Sequence, residues 1–246
     1  MAVARSIPIL MYHHIDAVPS RDDPLWTLHV APAKFEAQMR WMHRLGYRGL
    51  SMRDLLPYLR GERQGKVFGI TFDDGYCNVL DHAAPVLQRL GFTSTCYFVA
   101  AKLGQHNDWD AHLGTRSAAL MDAEQVRRWA ALGQEVGSHT LDHCHLPQLS
   151  AAAAEQQIRG SRESLESAAQ SPVESFCYPY GDWHCDLAAM VQTAGYSNAT
   201  VTERGLACAK DDPFALPRVT VSAFTGLPKF LYRCLTRAED RRRRTV

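Results

Sequence analysis

Two periodicities alternate along the chain. Short runs rich in β-branched and aromatic residues at 7–12, 67–72, 93–99, 135–138, 175–178, 198–201 and 216–221 predict strands. Between them, apolar residues recur at helical spacing over 33–45, 52–60, 79–90, 123–132, 151–169, 186–194 and 228–237. Such alternation predicts βα units around a parallel sheet. The helix ends carry their own signals. Asp122 followed by Gln125 resembles a capping box, Ser51 and Ser150 stand where N-caps belong, and Gly46, Gly91, Gly133 and Gly195 where C-caps belong. Within 123–132, Val126, Trp129, Ala130 and Leu132 fall broadly on one side, as in a helix laid on a sheet. No segment repeats another. One connection, 104–117 (GQHNDWDAHLGTRS), is polar and long, which predicts a loop over one end of the sheet.

At 246 residues the chain has the length for one sizeable α/β core and needs no linker. Hydrophobic residues make up 46% and charged residues 22%, which argues against extended disorder. A formal net charge of +1 offers no domain-wide case for binding nucleic acid. The seven cysteines are odd in number and scattered without a C-x-x-C pair, so they read as thiols in a reducing compartment. No apolar run reaches the roughly 18 to 20 residues of a membrane-spanning helix. The opening MAVARSIPILMYHHIDAVP lacks a small-residue cleavage site after its short apolar run. These features together predict a cytoplasmic protein. The stretch GLPKFLYRCLTRAEDRRRR, with Leu227, Phe230, Leu231 and Leu235 among several arginines, reads as a last helix covering the sheet. A solvated basic tail follows from about residue 238, and weak association of this piece with a membrane surface, such as the inner membrane, is the alternative.

Chemistry collects at the predicted strand ends. VFGITFDDG (67–75) puts Asp73 and Asp74 at the end of an apolar strand, where a Gly-assisted turn can bring both carboxylates into one cavity; an isolated DDG equally suits a helix N-cap. EVGSHTLDH (135–143) supplies His139 and His143, four residues apart, close enough in a helical turn to reach one cation. Two imidazoles and a carboxylate form a common catalytic-metal set that leaves room for water and substrate. A His pair alone also arises by chance on surfaces. ESFCYPYG (174–181) ends a strand in Pro-Tyr-Gly, ALPRV (215–219) places Arg218 at the start of the last strand, and IPILMYHH sets His13 and His14 after the first. In parallel α/β folds those ends share one face. His13 and His14 are equivalent by position.

TFDDG, SHTLDH and YPYG, in this order and spacing, resemble the motifs of the polysaccharide deacetylase family, the NodB-homology carbohydrate esterases of family 4. The resemblance runs from about Pro8 to about Thr220. It implies a distorted (β/α)7, TIM-like barrel as a single domain across 1–246, and a divalent metal, usually Zn2+. It also implies Asp73 as catalytic base, Asp74, His139 and His143 as metal ligands, and the Tyr180 backbone N–H as an oxyanion donor. Where the family's third motif carries Arg, this chain has Cys177, and no late leucine-rich segment with a His follows. Both departures match the branch containing biofilm poly-N-acetylglucosamine deacetylases, in which a Y-H-x-I segment supplies the acid and a late L-P-R segment the Arg. That resemblance implies His13 as general acid and Arg218 as the orienter of Asp73.

The reaction so implied is hydrolysis of an N-acetylated carbohydrate to acetate and an amino sugar. Trp109 and Trp183 fit sugar-stacking platforms as well as packing residues, and Asn107 beside Trp109 fits a hydroxyl-binding role. His145 is a rival ligand. The alternatives are a hydrolase of another small amide or cyclic ureide on the same fold, or a catalytically silent carbohydrate-binding module.

Overall fold

The structure, a computed structural model, describes residues 6–242. Eight strands are all parallel: β1 (Ile9–Tyr12), β2 (Arg48–Leu50), β3 (Val67–Phe72), β4 (Thr95–Phe98), β5 (Glu135–Ser138), β6 (Ser175–Cys177), β7 (Asn198–Arg204) and β8 (Leu216–Thr220). β1 pairs with β8 on one side and with β3 on the other, so β1, β3, β4, β5, β6, β7 and β8 close into a ring of seven. β2 distorts it. Its three residues pair with Val67, Phe68 and Gly69 at the base of β3, whereas β4 pairs with Thr71 and Phe72 at the top. Thr93 N donates to Gly49 O (3.1 Å), so β2 separates β3 from β4 at the bottom of the barrel. The sequence reading misses β2 because three residues, one of them glycine, carry no measurable alternation.

The helices are α1 (Pro32–Arg44), α2 (Met52–Leu59), α3 (Ala84–Leu90), α4 (Ala123–Ala131), α5 (Ala151–Ala169), α6 (Cys185–Thr193) and α7 (Leu227–Leu235). The expected capping box at Asp122 and the caps at Ser51 and Ser150 are present. The helix expected over 79–90 is broken: Val79–Ala83 forms a π-turn and α3 begins at Ala84, because Pro85 has no N–H to give back to the preceding turn. Outward strand residues such as Phe68, Ile70, Phe72, Phe98 and Phe176 join the helices in the main core, where Phe72 meets Trp129 of α4 edge to face.

The 236–242 stretch is not a free tail. Glu239 is buried between Arg204 and Arg233, Asp240 accepts from Leu206 N, and Asp240–Arg242 forms a 3-10 turn. One arginine of α7 is thus used internally, and Arg243 and Arg244 lie outside the described residues. Among the described residues no helix is long and apolar enough to cross a membrane.

Inward positions are unusually polar. Thr95 and Ser175 donate to the two oxygens of Glu135 (2.6 Å each), and Asn198 donates to Ser175 (2.8 Å). The first backbone N–H groups of α2 close the network: Met52 N reaches Thr95, and Arg53 N reaches Glu135 (2.9 Å). Burial pushes the Glu135 carboxyl up, and these donors hold it back without reversing the shift. Glu135→Leu is expected to cost about 3 kcal/mol, because several buried donors lose their acceptor at once, and Glu135→Gln about 1 kcal/mol. Urea unfolding with an unchanged m-value would measure both; equal effects would count against the network.

Candidate active site

Because the strands are parallel, the segments following β1, β3, β5 and β6 meet at one mouth. Backbone strain concentrates there. Of the five non-glycine residues with positive φ among the described residues, Asp74 (77°), Thr140 (67°), His143 (56°) and Tyr180 (59°) are at this mouth, and only Gln170 is a helix cap elsewhere. At the end of β3, Asp74 and Gly75 both turn left-handed, which swings Asp74 back beside Asp73; a Cβ on Gly75 would lie 2.6 Å from Phe98. The His pair is not held by a helical turn as expected. Thr140 Oγ1 accepts from His143 N (3.0 Å), and Gln157 Oε1 accepts from Leu141 N and Asp142 N, so an irregular turn brings the imidazoles to 4.9 Å between centroids.

Asp74, His139 and His143 converge. Asp74 Oδ1 lies 3.5 Å from His139 Nε2 and 3.4 Å from His143 Nε2, and all three residues are buried. His139 Nδ1 sits 2.7 Å from Cys177 O, which requires the proton on Nδ1 and turns the Nε2 lone pair inward. Asp74 Oδ1 has no hydrogen-bond partner among the described residues, and at 3.4 to 3.5 Å the imidazoles are too far to serve well. An orphaned buried carboxylate oxygen facing two imidazole nitrogens fits a divalent cation. Burial would raise Asp74, but His143, His13 and His139 hold it far below the usual carboxylate range.

Asp73 faces away from that trio, into Arg218. Nη1 and Nη2 of the wholly buried guanidinium donate to Oδ1 and Oδ2 at 2.7 Å each. Burial would raise Asp73; the charge and hydrogen bonds of Arg218 outweigh it, and the carboxyl stays below its ordinary value. The group of Asp73, His139 and Cys177 also has metal-ligand spacing, but its cation position is taken by Arg218. The two N-terminal imidazoles part company. His13 Nε2 comes within 3.9 Å of Asp73 Oδ2. His14 is stacked between His29 (4.0 Å) and Tyr76 (3.6 Å), with Nδ1 against Asn78, and forms part of the wall.

Tyr180 is the middle residue of a Pro-Tyr-Gly turn pressed onto β7, where Thr202 donates to Tyr180 O (3.2 Å) and leaves no room for a side chain at Gly181. Its hydroxyl donates to Asp110 (3.2 Å) on the 104–117 loop, and His145 stacks flat on its ring (3.8 Å). His145 is itself paired with Asp182 (2.6 Å) at the rim, outside the trio. Trp109 stacks on His143 at 4.5 Å, so the loop does cover the mouth. Trp183 packs half-buried 6.3 Å from Tyr178. Asn107 has both ends of its amide on the loop's own backbone, accepting from Ala118 N and donating to Arg116 O.

A profile of the family described as polysaccharide deacetylase matches residues 60–199, more than half of the chain. The chain belongs to the polysaccharide deacetylase family. It is 29% identical to YxkH of Bacillus subtilis (strain 168), described under the same family name, over 88% of this chain and 71% of that one. The poly-beta-1,6-N-acetyl-D-glucosamine N-deacetylase of Staphylococcus aureus (strain MRSA252) is 21% identical over 81% of this chain and 71% of its own. Among solved structures, the polysaccharide deacetylase BC0361 of Bacillus cereus superposes with a TM-score of 0.77 at 26% identity, over 94% of this chain and 69% of that one. The Streptococcus pyogenes deacetylase PplD, solved with acetate, shares the fold at a TM-score of 0.82 and 22% identity, over 94% and 99%.

Within this family fold, three features escape sequence reasoning. Tyr76 is buried at the turn next to Asp74, and burial with the Asp74 charge pushes its hydroxyl well above its ordinary value. Its place one residue past the DDG turn is the only signal in the sequence. Asp110 and the sulfur of Cys177 meet their partners across 70 and 41 residues, and nothing local announces either.

Proposed function

We propose that this family member is a metal-dependent N-deacetylase that releases acetate from N-acetylated hexosamine units of a polysaccharide or its precursor. One observation carries the reading: a cation-shaped gap at Asp74, His139 and His143, beside a buried, ion-paired Asp73 that faces His13. Two imidazoles and one carboxylate suit Zn2+. A divalent ion held there would polarise the acetyl carbonyl and make water a nucleophile near neutral pH.

The chain's own groups do the rest. Asp73, kept ionised by Arg218, takes the proton from the attacking water at Oδ2. Because Arg218 also makes Asp73 a poor place for that proton to stay, it moves on to His13, which lies 3.9 Å away and must close to hydrogen-bond distance when substrate binds. Burial leaves His13 neutral at rest, so the proton it later gives to the departing nitrogen is the one received from Asp73. Tyr180 N precedes the first bond of its turn, Gly181 N to Tyr178 O, and is free to donate to the oxyanion. Poly-N-acetylglucosamine deacetylases among the relatives, and acetate in PplD, support sugar N-acetyl groups as the substrate class.

The test is acetate release from β-linked N-acetylglucosamine oligomers by native, chelator-stripped and zinc-reconstituted protein. Stripping is expected to remove more than about 99% of release and zinc to restore it. Release indifferent to chelation, or metal binding with no release from any acetylated sugar, would defeat the reading.

A further inference from the structure

The Arg218 guanidinium is wholly buried and carries five N–H donors. Each has an acceptor. Nε donates to Val201 O (2.9 Å), Nη1 to Thr71 Oγ1 (2.9 Å) and Asp73 Oδ1 (2.7 Å), and Nη2 to Asp73 Oδ2 (2.7 Å) and Cys177 Sγ (3.2 Å). Cys177 therefore takes the fifth donor. Its own hydrogen faces Asp73 Oδ2 or Tyr178 O, both 3.8 Å away. Burial, against the opposing charge of Arg218 and with that of Asp73, raises the group and keeps it a thiol, so it adds no second anion. The backbone of the same residue serves the other half of the site, since Cys177 O fixes His139 through Nδ1.

We infer that Cys177 is a positioning residue for deacetylation, its sulfur completing the donor set of Arg218 and thereby holding Asp73 in the orientation that faces His13. The inference rests on the reading of Asp73 as the base. It gives the Cys177 side chain a role of its own at the end of β6. Substitutions of the side chain leave the carbonyl on His139 in place, so they separate the two halves of the site.

Cys177→Val removes the acceptor and is larger by roughly one methyl group, whereas Cys177→Ser keeps an acceptor in a smaller group. Against N-acetylglucosamine oligomers, Cys177→Val is expected to lose about tenfold in kcat with KM within about twofold, while Cys177→Ser retains at least about half of kcat. Both should bind a full equivalent of zinc. Resistance to urea should follow the same order, Ser above Val, because an unpaired charged donor is buried only in the latter. Equal kcat in Val and native protein, or Ser as impaired as Val in both measurements, would overturn the inference. A native protein silent toward acetylated sugars would instead defeat the proposed function, and the stability order would still decide this one.

Discussion

On the proposed mechanism, Asp73→Asn is expected to take up zinc to the same extent as the native protein and to release acetate about a thousandfold more slowly, the scale of a lost general base. The two halves of that result come from separate sides of the DDG turn. Asp74, on the far side, shares its gap with His139 and His143, and Asp73 takes no part in it. Asp73 instead gives both oxygens to Arg218, and Oδ2 is also the atom nearest His13. An amide offers one oxygen and one NH2, so the NH2 is set against a guanidinium that can only donate. The variant should therefore lose stability too. Acetate assays and metal analysis on the same sample check the prediction, and turnover above a tenth of native would remove Asp73 from the role of base.

The second large effect is in the partner. Arg218→Met is expected to cost about 3 to 5 kcal/mol in urea unfolding near neutral pH, because a buried carboxylate is left without its counterion. It should also lower turnover about a hundredfold through misplacement of Asp73, with little change in metal content. The pH dependence gives the sign. In the native protein Asp73 is held below its ordinary value, so its pairing stabilises at pH above the unfolded carboxylate range and is lost as pH falls. Without Arg218, burial outweighs the smaller opposing influence of His13 and His139 and raises the carboxyl, so the penalty is fully present at higher pH and shrinks as protonation sets in. Adding Asp73→Asn to Arg218→Met should recover much of the lost stability while leaving the protein inactive. A penalty identical at pH 5 and pH 8 would contradict this account.

The barrel was legible because runs such as Ile9–Tyr12, Val67–Phe72 and Thr95–Phe98 are rich in apolar, β-branched or aromatic residues and alternate with segments of helical spacing. β2 was not, since Arg48–Leu50 has neither length nor alternation and takes its place only by pairing with β3. Asp73, Asp74, His139 and His143 could be found because each motif packs its groups within a few residues at a strand end. The turn at His139 was misjudged: spacing of four suggested a helix, but Thr140 caps the His143 N–H and imposes positive φ at both residues. Asn107 bonds the loop's own backbone at Arg116 and Ala118, a pairing that its place beside Trp109 does not announce. The stretch from about residue 238 looked free because arginines dominate its composition, whereas Glu239 and Asp240 tie its described part, up to 242, to Arg204, Leu206 and Arg233.

The Glu135 network, with Tyr97, Leu216 and Ile9 buried in the same interior, gives the barrel a solid floor beneath the carboxylates. The barrel interior is thus closed beneath the site, and its open side is the mouth at the strand ends. On the proposed reaction, acetate would form beneath the bound sugar and leave through the mouth by which that sugar came. Escape of the small product is thereby tied to lifting or sliding of the large one, so a long chain that stays engaged would slow each cycle after the bond has already broken. Short oligomers would clear the doorway sooner, and the length of the sugar would be felt in turnover even though the groups that break the bond touch a single residue of it.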